Sequence, residues 1–197
     1  MQSLRYFILV IVLYKLKMNR TIKLIVRQAA ICAMYVALTL TLQPISFGQV
    51  QFRVSEILVL LCFYDKKSMI GLIIGCFIAN LFSPMLVFDI TLGVLATVLS
   101  LIGIALIKNI YLGAICPVIF NGLIVGLELN LAFELPYLES ALYVALGELG
   151  VMVVAVIVFK LLEKNKYIYK EVLVGNYEEK FEKLEKLENT ENSEEDK

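Results

Sequence analysis

The sequence contains neither histidine nor tryptophan. Without histidine, the commonest transition-metal sites and most serine or cysteine catalytic triads are excluded. The chain also has no Gly-x-x-x-x-Gly-Lys-Ser/Thr loop, so it cannot hydrolyse ATP by the usual route. Its four cysteines are scattered singly through apolar stretches and are predicted to be buried free thiols. These absences predict no catalytic residues, no metal and no cofactor.

Charge is scarce as well: 18% of residues are charged and 60% are hydrophobic, with a mean hydropathy of +0.82. Ordinary soluble domains carry about 25% charged residues. Most of the charge lies towards the two ends of the chain. Residues 1–17 are predicted to be an N-terminal extension, which a translation start at Met18 would omit. Residues 165–197 are predicted to be a charged cytoplasmic tail. Residues 18–164 remain as a transmembrane domain. The basic residues form no contiguous face, so no nucleic-acid partner is predicted.

The hydrophobic pattern predicts an all-α membrane protein with six transmembrane helices. A helix that crosses a bilayer needs about 20 apolar residues. The second and third segments are shorter, so they are either tucked among the other helices or joined by a loop that dips into the bundle. The six predicted segments are Leu24–Gln43, Val54–Tyr64, Ser68–Phe82, Asp89–Ile107, Tyr111–Leu131 and Ser140–Leu162.

The distribution of basic residues predicts the orientation, because cytoplasmic loops carry an excess of Lys and Arg. Bases cluster before the first helix, between helices two and three, between four and five, and after the sixth. Of the other three connections, only the first holds a base, Arg53. Both termini are therefore predicted to be cytoplasmic in a multi-pass protein of the cell membrane.

Polar residues inside the predicted spans, or at their outer ends, are candidates for function because ionisable groups in a bilayer are costly. They converge on the outer half of the bundle and predict a pocket that opens to the outside. Alternatively these groups satisfy one another, with Arg53 paired to Glu56 or Glu128, and Asp89 capping the fourth helix. The candidate substrate-binding residues are Gln51, Arg53, Glu56, Asn80, Asp89, Asn121, Glu128 and Glu148.

Small residues recur at intervals of four on three predicted helices, which allows close approach of another helix. Gly71/Gly75 and Gly122/Gly126 are expected to serve internal packing. The stripe Ala29, Ala33 and Ala37 lies on the first helix, where a partner protein can reach it.

Several of these segments together resemble a known family. The stretch 45–56, which reads ISFGQVQFRVSE, resembles the QueT family, as do 80–84 (NLFSP), 89–93 (DITLG) and Asn121-Gly122. These are predicted queuosine-precursor transporters among the substrate-binding (S) components of energy-coupling factor (ECF) importers. The resemblance covers about residues 20–163, and the Gln-Phe-Arg-x-Ser-Glu stretch is its most specific part.

The resemblance implies a six-helix S component that captures a 7-deazaguanine or queuine outside the cell. Its partners would be a membrane scaffold (T) subunit and two ATPase subunits, and the alanine stripe would contact the scaffold. Glu128 or Glu148 would accept the guanine-like edge, and Asn121, Gln51 or Arg53 would donate to its carbonyl oxygen. Phe47, Phe52, Phe82 and Phe120 are available for stacking on the base.

Three other hypotheses stay open. The first is an S component for a different vitamin-like heteroaromatic solute. The second is a membrane enzyme that uses Glu128 and Glu148 as acid and base, although no nucleophile or metal cluster supports it. The third is an interaction protein whose alanine face is its only functional surface, which leaves Arg53 and the inward carboxylates unexplained.

Overall fold

We describe the protein from a computed structural model, for residues 20–43, 52–166, 169 and 173. By backbone contacts the chain divides into two units. One comprises residues 1–27 and 176–197, of which only the helical residues 20–27 are described. The other comprises residues 28–175 and holds the hydrophobic core and every polar cluster discussed below.

All regular structure in the described ranges is helical, in six main segments that confirm the predicted number. Four of them, α1, α4, α5 and α6, are long and apolar enough to cross a membrane. The segments are α1 (Arg20–Thr41), α2 (Val54–Tyr64), α3 (Met69–Asn80), α4 (Leu86–Leu106), α5 (Ile110–Phe133) and α6 (Tyr137–Glu163).

The short helix α2 is buried among the other helices. This agrees with the first of the two alternatives given for the short segments, that they are tucked among the longer helices. Val59, Leu60 and Cys62 on it are fully buried in the main hydrophobic core. Its first seven residues, Val54–Leu60, form a 3-10 helix, which rises more steeply than an α-helix. By contrast, α3 leaves Ile70 and Phe77 exposed on one face.

The glycine pairs serve internal packing, as predicted. A Cβ at Gly126 on α5 would lie 2.6 Å from the Ala141 Cα atom of α6, so only glycine allows this approach. A Cβ at Gly71 on α3 would lie equally close, at 2.6 Å from the backbone oxygen of Gln28 on α1. The alanine stripe behaves differently: Ala29, Ala33 and Ala37 are all exposed.

Helix α4 differs from the prediction at its start. It begins at Leu86 rather than at Asp89, and Asp89–Gly93 forms a π-helical turn within it. The residue before the helix is Met85, which provides no side-chain cap. The expectation that Asp89 caps the fourth helix is therefore wrong, because its carboxylate is fully buried and engaged elsewhere.

Two of the cysteines also differ from the prediction. All four are free thiols, as expected, but only Cys62 and Cys76 are buried. Cys32 and Cys116 are half-buried.

Candidate ligand-binding site

The site is organised around Arg53, which precedes α2 and is 5% exposed. Its guanidinium forms a salt bridge with Asp89 of α4. The Ser83 hydroxyl donates to the other carboxylate oxygen of Asp89, and the Asn80 amide donates to the Asp89 backbone oxygen at 2.8 Å. The partner of Arg53 is thus neither of the two that the sequence suggested, Glu56 and Glu128. Three elements, the ends of α2, α3 and α4, are joined by this cluster.

A cleft opens beside Arg53, between α5 and α6. Asn121 and Val125 line it from α5, and Val144 and Glu148 from α6. Its empty space, about 180 Å³ including the open mouth, is too narrow to hold a water molecule, so a ligand would enter only after the lining side chains move apart. The cleft combines a cation, an amide and a carboxylate with two apolar valines, so several polar groups converge on one small space.

Acidic groups outnumber the guanidinium around this cleft. Glu56, Asp89 and Glu128 are fully buried and Glu148 is 2% exposed. Arg53 interacts electrostatically with each of these four carboxylates. Since a single guanidinium cannot neutralise four carboxylates, the site as a whole favours a ligand that brings hydrogen-bond donors or positive charge.

Several of the carboxylate oxygens have no hydrogen-bond partner among the residues that the structure describes. They are Oε2 of Glu56, Oε1 of Glu148 and both oxygens of Glu128. Glu148 is adjacent to Asn121, and Glu128 is adjacent to Asp89. Both glutamates also interact electrostatically with Arg53. Because buried acceptors are nearly always satisfied in folded proteins, these oxygens are candidates to accept hydrogen bonds from a ligand.

The structure brings together most of the candidate site residues. Arg53, Asn121 and Glu148 line one cleft, and Glu128, which does not line it, interacts with Asp89 and Arg53. Gln51 lies outside the described residues. The face of α5 that carries Asn121 therefore packs against the face of α6 that carries Glu148, as the predicted pocket requires.

The stacking expectation is not supported for Phe82, whose side chain is 55% exposed. No aromatic side chain of the described residues lines the cleft. The ring of Phe52 lies 3.3 Å from the position of a Cβ at Gly150 of α6, and Phe52 is not among the residues that line the cleft. Phe120 is half-buried, and Phe47 falls outside the described ranges.

Sequence reasoning missed Tyr35 of α1. Its hydroxyl donates a 2.5 Å hydrogen bond to Oε1 of Glu56, and its side chain is 1% exposed. A signal was available, because Ile31, Tyr35 and Thr39 recur at intervals of four, offset by two residues from the alanines. Two residues turn a helix by about 200°, which places this stripe on the opposite, buried face.

Comparison with known proteins agrees with the sequence resemblance. The family model described as QueT transporter matches residues 25–164. A protein of Lactococcus lactis subsp. cremoris (strain MG1363), the queuosine precursor transporter QueT, is 35% identical over 157 residues, covering 72% of this chain and 92% of the relative. No solved structure matches. On the extent of these matches, together with its long apolar helices, the chain belongs to the QueT transporter family and is a membrane protein with a transport function.

Proposed function

We propose that this protein is the substrate-binding subunit of an ECF-type importer and captures a queuosine precursor, a 7-deazaguanine or queuine, from outside the cell. The observation that carries the proposal is the cleft of Arg53, Asn121 and Glu148, together with buried carboxylate oxygens of Glu56, Glu128 and Glu148 that have no hydrogen-bond partner among the described residues. The related protein of Lactococcus lactis is named for transport of a queuosine precursor, which supports the same class of solute.

The chemistry of the solute is complementary to this site. The guanine-like edge of a 7-deazaguanine presents N1–H and an exocyclic amine as two parallel donors, which one carboxylate accepts as a bidentate pair. Glu148 or Glu128 would take that edge, and Asn121 or Arg53 would donate to the ring carbonyl. An amine on the side arm would use a remaining carboxylate.

The experiment is a thermal-shift or calorimetric titration of the purified protein in detergent, without partners. The panel contains 7-cyano- and 7-aminomethyl-7-deazaguanine, queuine, guanine, riboflavin, thiamin and biotin. We expect a deazaguanine or queuine to bind, and Glu148→Gln or Glu128→Gln to weaken binding by about 10-fold or more, since hydrogen bonds to a charged group contribute about 1.5–3 kcal/mol.

Glu139→Gln is the matched control, because Glu139 is an exposed carboxylate on the same helix as Glu148. It should leave the affinity unchanged. Binding of riboflavin, thiamin or biotin instead would keep a capture subunit but change its solute. If no compound of the panel bound, the capture proposal would be wrong, and an interaction protein would become the better explanation.

The proposal includes docking of α1 on the scaffold (T) subunit, which two ATPase subunits would energise. The exposed stripe Ala29, Ala33 and Ala37 supports it, because small residues let a partner helix approach closely. It also includes six crossings with both termini in the cytoplasm, supported by the basic residues of the connecting loops.

Ala33→Leu tests the docking, because a leucine there would hold a partner helix away from α1. We expect co-purification with the scaffold and ATPase subunits to be lost while ligand affinity is retained. Val153→Leu, which enlarges an exposed side chain on a different helix, α6, should preserve both. Loss of ligand binding together with docking would instead assign the stripe to internal packing.

A further inference from the structure

The candidate site extends towards α1 through Glu56. In the 3-10 helix that opens α2, three residues complete one turn, so residues three apart lie over one another. Glu56 is three residues after Arg53, and its backbone N–H donates to the Arg53 oxygen at 2.9 Å. Glu56 therefore follows Arg53 by one such turn, and it interacts electrostatically with two residues that line the cleft, Arg53 and Glu148.

The two carboxylate oxygens of Glu56 differ, because only one of them accepts a hydrogen bond from a described residue. The Tyr35 hydroxyl donates to Oε1 at 2.5 Å, whereas Oε2 has no partner among the described residues. Both side chains are buried, at 1% and 0% exposure. A phenol has a single proton to donate, so Tyr35 satisfies one oxygen and fixes the orientation in which the other is presented.

A second polar contact joins the same two helices one turn away. The hydroxyls of Thr39 on α1 and Ser55 on α2 are 2.7 Å apart, and both residues are buried. This contact holds α1 against α2 without involving a carboxylate. It provides an internal comparison for the role of Tyr35, because removing either contact costs one buried hydrogen bond between the same helices.

We propose that Tyr35 is a positioning residue of the ligand site: it holds Glu56 so that Oε2 accepts a hydrogen bond from an N–H group of the bound solute. The inference rests on the proposed function, and it adds α1 to the elements that determine ligand affinity. It also gives α1 two functional faces, one that orients a site carboxylate and one that presents the alanine stripe.

The test is a double-mutant cycle on ligand affinity, with the tightest-binding compound of the titration panel as the probe. Tyr35→Phe should raise Kd by roughly 5- to 10-fold, and Glu56→Gln by about 10-fold or more, as expected for a hydrogen bond to a charged group. Because Tyr35 acts through Glu56, the double variant should bind no more weakly than Glu56→Gln alone.

Ser55→Ala is the matched control. It removes the neighbouring contact between α1 and α2, so it should lower thermal stability, although by less than Tyr35→Phe because the lost bond is not to a charged group, while leaving Kd within about twofold. The inference is overturned if Tyr35→Phe binds like the wild type, if the two single effects multiply in the double variant, or if Ser55→Ala weakens binding equally.

Failure of the proposed function has a different signature. In that case the wild-type protein itself binds no member of the panel, and the inference is refuted with it. Normal wild-type binding combined with an unaffected Tyr35→Phe refutes the inference alone.

Discussion

Arg53 is the side chain on which the polar interior depends, because it faces four buried carboxylates and forms its salt bridge with only one, Asp89. A buried ion pair is weak evidence for stability by itself, yet removal of one partner is strongly destabilising since it leaves a buried charge uncompensated. Here the two partners are not equivalent. A guanidinium that loses Asp89 still has other carboxylates nearby, whereas among the described residues Arg53 is the cation that these carboxylates share.

We therefore predict that Arg53→Met is more destabilising than Asp89→Asn. Loss of the guanidinium should cost about 3–5 kcal/mol, while Asp89→Asn should cost about 1–2 kcal/mol because Glu56 or Glu128 can approach the cation. Thermal unfolding of both variants in detergent would show which of them is less stable. Equal effects would mean that Asp89 alone stabilises the guanidinium.

Close approach between α5 and α6 is the element-level feature that shapes the cleft, since Asn121 and Glu148 face each other across it. Gly122 and Gly126 permit that approach, and a Cβ at Gly126 would lie 2.6 Å from Ala141. The contact involves the backbone of α6, so it cannot be relieved by rotating a flexible side chain.

Gly126→Ala is accordingly predicted to destabilise the protein by about 1–3 kcal/mol and to weaken ligand binding, because it pushes α6 away from α5. Gly113→Ala is the control: a Cβ there meets its nearest neighbours at 3.9 Å, an ordinary contact. That variant should be neutral or stabilising by up to about 1 kcal/mol. Equal unfolding temperatures for the two variants would contradict the packing argument.

Helices were predictable from the sequence where hydrophobic runs are long, and the polar contacts between them were not. The number of helices and the burial of Glu128 and Glu148 followed from composition and spacing. The partner of Arg53 did not, because the choice among several carboxylates depends on how α4 starts. Its extra turn, Leu86–Phe88, turns Asp89 from a helix cap into a buried ion-pair partner.

For the whole molecule, the two short helices decide how many times the chain crosses the membrane. Helix α2 has seven 3-10 and four α-helical residues, and α3 has 12 residues. At the usual rises each is roughly 20 Å long, less than the ~30 Å hydrocarbon core. Two arrangements are therefore compatible with these lengths. Each helix crosses the membrane as a short, partly buried span, or the two form a hairpin that enters and leaves the membrane on the same side.

The lysines between them favour two crossings. Lys66 and Lys67 are exposed at the turn from α2 to α3. In a hairpin these charges would lie within the bilayer, at a cost of about 2.5–3.5 kcal/mol each on insertion scales. In the six-crossing arrangement that we propose, both lie in the cytoplasm, on the side opposite to Glu139.

Single cysteine substitutions can distinguish the two arrangements, after replacement of the four native cysteines. With a membrane-impermeant maleimide on intact cells, Glu139→Cys should react at once, because Glu139 is exposed near the start of α6, which the proposed orientation places outside. Lys66→Cys should react only after the cells are permeabilised. Resistance of Lys66→Cys to the reagent from both sides would indicate a hairpin whose turn lies in the bilayer. Labelling of Lys66→Cys in intact cells would reverse the orientation and place the Arg53 cleft on the cytoplasmic side, where it could not capture an external solute.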